Sequence, residues 1–375
     1  MKKLKKIFAT ILTAAIFFGA QVYANESWQP EIRLGILSGV QSVNLQISKP
    51  CVLIDSESRK ILKKINAGEN FSVSFSNLKS NAVEIRSEDF PLKDLIVTVN
   101  DKKYFGGVRV NKNKNSLTVI NLAPVEEYLR GVVPNEMSPS FNAEALKAQA
   151  VAARSFTLKN RNRHNSEGFD LCATTHCQIF GGADSATNFT DEIIKSTRGE
   201  VLVLNGRIVD TNFHTDSGGM TESVENVWGG YASHLQPVEE LEKNTQPWTK
   251  EFTIEDFSSR FGADFGKLAA FRLSPLKIGR SDVDRSTSGR VKSVQLIGSK
   301  KNLQLTGNEL RQKFSLPSTL FDIKISGSKI IFEGYGSGHG VGMSQNGANA
   351  YAKSGWTYDK ILYHYYRGTE IRKLY

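Results

Sequence analysis

Glu136 lies in the stretch EEYLRGVVPNEMSPSFNAEALKAQAVAARSF, from Glu126 to Phe156, as one carboxylate in a Pro-containing turn ahead of an alanine-rich segment. A carboxylate on a connection braced by a rigid element suits proton transfer, although the same residue also reads as a solvated turn glutamate. Three further clusters carry reactive types. In DLCATTHCQIFGG, four residues separate Cys172 from Cys177, with His176 beside the second. They suit either a disulfide or three ligands to zinc with a fourth position open, and Asp170 reads either as orienting a ligand histidine or as solvating the turn. In DTNFHTDSGG, His214, Asp216 and Ser217 include every residue type of a hydrolytic triad. The strained G-x-S-x-G elbow is absent, and such groups usually come from distant segments, so binding or support is the better reading. In GYGSGHGVGMSQNGA, glycines flank His339, which reads as a binding loop or as a glycine-rich hairpin corner.

Several elements must position these groups. A helix is expected from Ala143 to Asn160, with Asn142 as N-cap, Glu144 in the first turn and alanines that permit close packing. Before it, alternation at Ile32/Leu34/Ile36, Val43/Leu45/Ile47, Phe71/Val73/Phe75, Val97/Val99 and Leu117/Val119 predicts an antiparallel β-rich module over 25–121. After it come a hairpin turning at Asn205-Gly206, whose second strand runs from Arg207 to Phe213, and a hairpin within Val291–Thr306. A capping box at Thr306 and Glu309 follows, then helices Gln345–Lys353 and Tyr358–Arg367, stopped by Gly355 and Gly368. Strands and helices over 122–375 lack a βαβ rhythm, so the fold class is α+β.

The N-terminus has four lysines before the apolar run Ile7–Phe18 and a small residue at Ala24, the pattern of a cleaved signal peptide over 1–24 that directs export. The run is too short to span a bilayer. Loss of the four leader lysines takes the net charge from +10 to +6. This mild excess, with no arginine stripe or zinc-finger spacing, excludes a nucleic-acid partner and suits an anionic extracellular polymer.

Taken in order, EYLRGVVPNEM, ALKAQAVAARSF, DLCATTHCQIFGG, HTDSGG, GYGSGHGVGMSQNGA and ILYHYYRGTEI make residues 122–375 resemble the stage II sporulation protein D (SpoIID) family, which includes the LytB amidase enhancers. The resemblance implies a lytic transglycosylase that cleaves MurNAc-GlcNAc bonds in peptidoglycan glycan strands, leaving 1,6-anhydro-MurNAc ends. It makes Glu136 the acid and base and assigns Arg154 to the active site. It also keeps zinc at Cys172, His176 and Cys177 open alongside the disulfide, with no cofactor required, because the zinc-binding spacing here is shorter than the family's. His214, Ser217, His339, Ser344 and Gln345 are then expected to contact sugar, with Trp228, Trp248, Tyr335 and Trp356 as stacking faces. Burial against Met137 and Phe141 is expected to hold the Glu136 proton. Two other readings compete: a non-catalytic glycan-binding enhancer with a cell-wall amidase as partner, and a zinc-dependent amidase.

Overall fold

The computed structural model describes residues 29–87, 92, 95–241 and 247–375; the expected signal peptide lies outside them. The fold is α+β. Every segment read as alternating forms a strand, in Glu31–Val40, Ser42–Ile47, Asn70–Ser74, Ile96–Val99 and Leu117–Pro124, with Phe75 alone falling just past its strand. A seven-stranded sheet runs in the order Leu171–Cys172, Glu31–Val40, Leu117–Pro124, Gly107–Lys112, Ala82–Arg86, Cys51–Asp55 and Ile61–Ile65. A four-stranded sheet orders Asn70–Ser74, Ser42–Ile47, Ile96–Val99 and Lys102–Phe105. All pairings in both are antiparallel except Leu34 with Leu171 and Gly35 with Cys172, which are parallel. That exception ties the cysteine segment to the N-terminal sheet.

Helix α1, Val125–Glu136, follows the strand Leu117–Pro124 without a break. Its buried residues Val125, Tyr128, Leu129, Val132 and Val133 recur at helical spacing and face the core. Glu136 therefore ends a helix rather than occupying a turn. Pro134 is tolerated because it lies in the last turn, where the Asn135 side chain donates to the Gly131 carbonyl at 2.8 Å and the Met137 N–H closes onto Val133 at 3.0 Å.

Helix α2, Ala143–Lys159, is capped as expected by the Asn142 side chain accepting from the Glu144 N–H. It is buried on nearly every face and packs on α1, on Gln345–Lys353, on Tyr358–Tyr365 and on the strand Glu200–Leu204. Its alanines leave room for these close neighbours. One hydrophobic core joins the N-terminal strands to these helices.

A second core lies within 247–335, around Phe257, Phe265, Leu296, Leu310, Phe314 and Phe332, so the region 122–375 contains two cores. Two three-stranded antiparallel sheets and the helix Gly307–Phe314 build it. The capping box at Thr306 and Glu309 is present. Asn205 and Gly206 both have positive φ, as their two-residue turn requires, but the returning strand stops at Ile208. Phe213–His214 is instead a separate strand, parallel to Met343–Ser344. The last helix ends at Tyr365, two residues earlier than expected. Among the described residues no helix is long and apolar enough to cross a membrane.

Candidate functional site

The C-terminal end of α1 opens into a cleft of about 550 Å³. Glu136 is, among the described residues, the only carboxylate lining it. His176, Cys177 and Ile179 come from the cysteine loop, His214 from its short strand, and His339 and Gln345 from the glycine loop and the helix after it. Trp228 stands at the cleft more than half exposed, its ring 4.8 Å from that of His339. The second core contributes Asn308, Arg311 and Gln312.

Two segments distant in the chain meet on the Glu136 carboxylate. The Ile179 N–H donates to Oε1 at 2.6 Å, and the Gln345 side-chain amide stands 3.5 Å from Oε2. Burial raises the Glu136 pKa, and these two hydrogen bonds draw it back only in part. Because the backbone N–H occupies Oε1, a proton on this carboxyl belongs on Oε2.

The Ile179 amide is placed by its loop. The Gly181 N–H donates to the Gly131 carbonyl, and Gln178 accepts from the Tyr128 and Thr157 hydroxyls, each at 2.9 Å. Phe180 stacks on Tyr128 with ring centroids 5.4 Å apart and lies directly over Gly131, where an added Cβ would come within 2.4 Å of the ring. Only glycine lets the loop dock this closely on α1.

The other end of the loop gathers four metal-type donors. One ligand atom from each of His164, Cys172, His176 and Cys177 lies within 4.8 Å of all the others. His164 Nε2 is 3.2 Å from His176 Nδ1 and 3.4 Å from Cys177 Sγ, and both sulfurs are 3.7 Å from His176 Nδ1. Tetrahedral zinc with N and S ligands at about 2.0–2.3 Å needs ligand spacings of this size. The cysteines are free thiols rather than a disulfide. Burial opposes ionisation of Cys172, but hydrogen bonds with Thr174, His176 and Cys177 bring it down to about 6, whereas burial pushes Cys177 up to about 11.

The sequence reading missed His164, the fourth donor. Its position eight residues before Cys172, on the same short excursion, was the available signal. Of the two readings open for Asp170, orienting a ligand histidine is not the one found, and Glu167 takes that place. Glu167 Oε1 sits 2.6 Å from His164 Nδ1, as a carboxylate behind a metal-ligating histidine does. Asp170 instead accepts from the Arg33 backbone and guanidinium at 2.8 Å.

Arg154 lies elsewhere than expected. It is fully buried and paired bidentately with Glu126 at 2.9 and 2.8 Å, with further bonds to the carbonyls of Glu200 and Ile194. It does not line the cleft, so the structure makes it a core residue. Ser217 and Ser344 are likewise outside the cleft: their hydroxyls accept from the Gly219 and Gly347 backbones. Both border a separate 30 Å³ cavity beside Glu240. Of the four aromatic candidates only Trp228 lines the cleft. Trp248 donates to the Gly336 carbonyl, and Trp356 packs on Tyr351.

Burial keeps His214 and His339 in the neutral form. His214 Nδ1 donates to the Val341 carbonyl at 3.1 Å, and its buried Nε2 has no partner. Burial, then His339 and Arg290, hold its pKa well below normal. His339 Nδ1 accepts from the Val341 N–H at 3.0 Å, which puts its ring proton on Nε2. Burial, with Arg311 and Arg290 nearby, lowers it to about 3.

Residues 113–204 match the family model described as stage II sporulation protein, and residues 230–342 match a domain of unknown function, DUF8618. The chain is 33% identical over 266 residues to the stage II sporulation protein D of Bacillus subtilis, an alignment that covers 66% of this chain and 74% of that one. This chain belongs to the stage II sporulation protein D family. An uncharacterized protein of Brachyspira hyodysenteriae is 33% identical over 305 residues, covering 78% of this chain and 79% of its own. The amidase enhancer of Bacillus subtilis is 27% identical over 357 residues, covering 82% of this chain and 49% of its own. Within this SpoIID-family chain, the matched segment 113–204 contains α1, α2 and the four-donor cluster, whereas Arg311 and Asn308 fall within the second match.

Proposed function

We propose that this chain is a cell-wall protein, a peptidoglycan lytic transglycosylase that cleaves MurNAc-GlcNAc bonds. The observation that carries the reading is the solitary Glu136 carboxylate in the cleft, with its pKa raised by burial. Ordinary glycosidases need two carboxylates, one to protonate the leaving oxygen and one to activate water or attack C1. A single carboxylate can serve both halves of an internal transfer. The proton on Glu136 Oε2 passes to the glycosidic oxygen as the C1–O bond breaks and positive charge grows on the muramoyl ring. The resulting carboxylate then takes the proton of the C6 hydroxyl, whose oxygen bonds to C1 and closes the 1,6-anhydro ring.

In this scheme the Ile179 N–H and the Gln345 amide steady the carboxylate between the two proton transfers. Trp228 offers a sugar-stacking face, and the neutral rings of His214 and His339 form the wall beside it. His164, Cys172, His176 and Cys177 would hold one zinc. Four protein ligands leave no open position for a reactive water, so the ion would fix the loop that carries the Ile179 amide. That donor set also argues against a zinc-dependent amidase.

The test is Glu136→Gln, which should keep the fold and the affinity for glycan strands yet release no anhydro-muropeptides in mass spectrometry of digested sacculi. Undiminished anhydro product from this variant would sink the reading. The match to an amidase enhancer supports a second one, in which the cleft binds glycan without cutting it and the partner is a cell-wall amidase. In that case neither the native chain nor Glu136→Gln forms anhydro ends, and both raise amidase turnover on whole sacculi.

A further inference from the structure

A second pocket of about 160 Å³ adjoins the cleft and shares Val227, Asn308, Arg311 and His339 with it. Its wall carries Arg290, Lys292 and Arg311, three cations against the single carboxylate of Glu222. Both oxygens of Glu222 are already taken: the Ser223 N–H and the Asn226 amide donate to one, and the Ser286 and Ser288 hydroxyls donate to the other. Arg290 is different. It is 98% buried, its Nη2 donates to the Ser217 carbonyl, and its Nε and Nη1 have no partner. A buried guanidinium in this state is a fixed positive charge in the pocket wall. Gly340, with φ of +88°, lies against it, since a Cβ there would fall 2.6 Å from Arg290 Nε.

The start of the helix Gly307–Phe314 lines the same pocket. Its capping box satisfies the Thr306 and Glu309 amides, leaving the Gly307 and Asn308 N–H groups at the pocket without intrahelical acceptors. Two independent features, the under-bonded Arg290 and this helix end, therefore converge on a site that opens beside His339.

Resting on the glycan-cleft reading above, we infer that this pocket is a carboxylate subsite for the acidic substituent of a muramoyl residue bound in the cleft. The shared chemistry is a carboxylate on the O3 branch of the sugar. It is supplied either by a bare lactyl group or by a stem peptide. Arg311, Lys292 and the helix amides are the contacting groups, and Arg290 contributes its charge from the wall.

Binding in the Glu136→Gln background tests this without turnover. Three probes are compared by calorimetry at fixed ionic strength: a GlcNAc oligomer, a GlcNAc-MurNAc oligomer with bare lactyl groups, and the same oligomer with stem peptides. At least one muramoyl probe should bind about tenfold more tightly than the neutral oligomer. Added Arg311→Gln should lower the ratio of muramoyl to neutral binding by most of that difference, and Lys292→Gln, at a residue that lines the pocket and not the cleft, should do so with the neutral oligomer unaffected. Whichever muramoyl probe gains the tenfold identifies the source of the carboxylate. Equal binding of all three, or an equal loss for all three in Arg311→Gln, overturns the subsite. Binding of the neutral oligomer and the anhydro assay with native protein report on the cleft reading separately.

Discussion

Replacing Arg154 with methionine should cost stability rather than chemistry. Arg154 is fully buried, and its guanidinium forks onto Glu126, which is also buried and accepts from the Tyr375 hydroxyl at 2.7 Å and the Gly199 N–H at 3.2 Å. Burial alone would raise Glu126, but Arg154 and those two donors outweigh it and hold it below its ordinary 4.5. Removing one partner of a buried pair leaves an uncompensated charge, which costs about 3–5 kcal/mol. Adding Glu126→Gln removes that charge yet keeps an acceptor for Tyr375 and Gly199, so the double variant should recover about 1–2 kcal/mol. The pH dependence has a fixed sign. A depressed carboxylate contributes stability above its unfolded value and loses it as pH falls through the folded value, so the deficit of Arg154→Met should be large at pH 7 and shrink as pH falls toward the depressed folded value of Glu126, where the native charge is lost as well. Urea unfolding of the two single variants and the double, at pH 7 and pH 4, measures all of this. If Arg154→Met kept its stability within about 1 kcal/mol while losing glycan cleavage, the placement of Arg154 in the core would be refuted.

Purified protein should carry one zinc per chain by elemental analysis, and His164→Ala should lose it, lower the melting temperature and reduce glycan cleavage by loosening the loop that holds Ile179. Full metal content in His164→Ala would contradict the four-donor arrangement. Cleavage should fall as pH rises through the elevated pKa of Glu136, because the proton donor is then lost; Gln345→Leu removes a bond to the anion and should move that limb to higher pH in a rate profile. Burial raises Glu240 to about 7, so its stabilising share is complete below its ordinary 4.5 and is lost as pH rises toward 7. Glu240→Gln should flatten thermal stability across that interval, and an unchanged slope would count against it.

The parts legible in the sequence are those set by near neighbours. Val43, Leu45 and Ile47 alternate because one face of their strand is buried, and Thr306 with Glu309 marks a helix start through bonds within four residues. Strands without such alternation were missed: Ile61–Ile65 is mostly exposed, and Ala82–Arg86 is buried on both faces. Pro134 hid the end of α1, since proline reads as a break even though the Val125 to Val133 spacing is helical throughout. Arg154 shows the limit of a motif. Its place in a helix follows from the sequence, but which face it occupies depends on Glu126, 28 residues away in another helix. Arg311 and Asn308 gave no local signal, because they reach the cleft only through the packing of the second core.

What unites the site is the segment from His164 to Gly181. At one end its four donors can close on a single ion; at the other, Gln178, Phe180 and Gly181 lock onto α1, with Ile179 between them on Glu136. The middle is pinned to the N-terminal sheet by the pairing of Leu171 and Cys172 with Leu34 and Gly35. A shift at the donor cluster therefore cannot be absorbed by slack in the loop, because the chain from Cys177 to Ile179 spans only two peptide steps. The environment of Glu136 depends on this segment as much as on α1 itself. The N-terminal strands, which contribute nothing that lines the cleft, act on it by holding the far side of that segment.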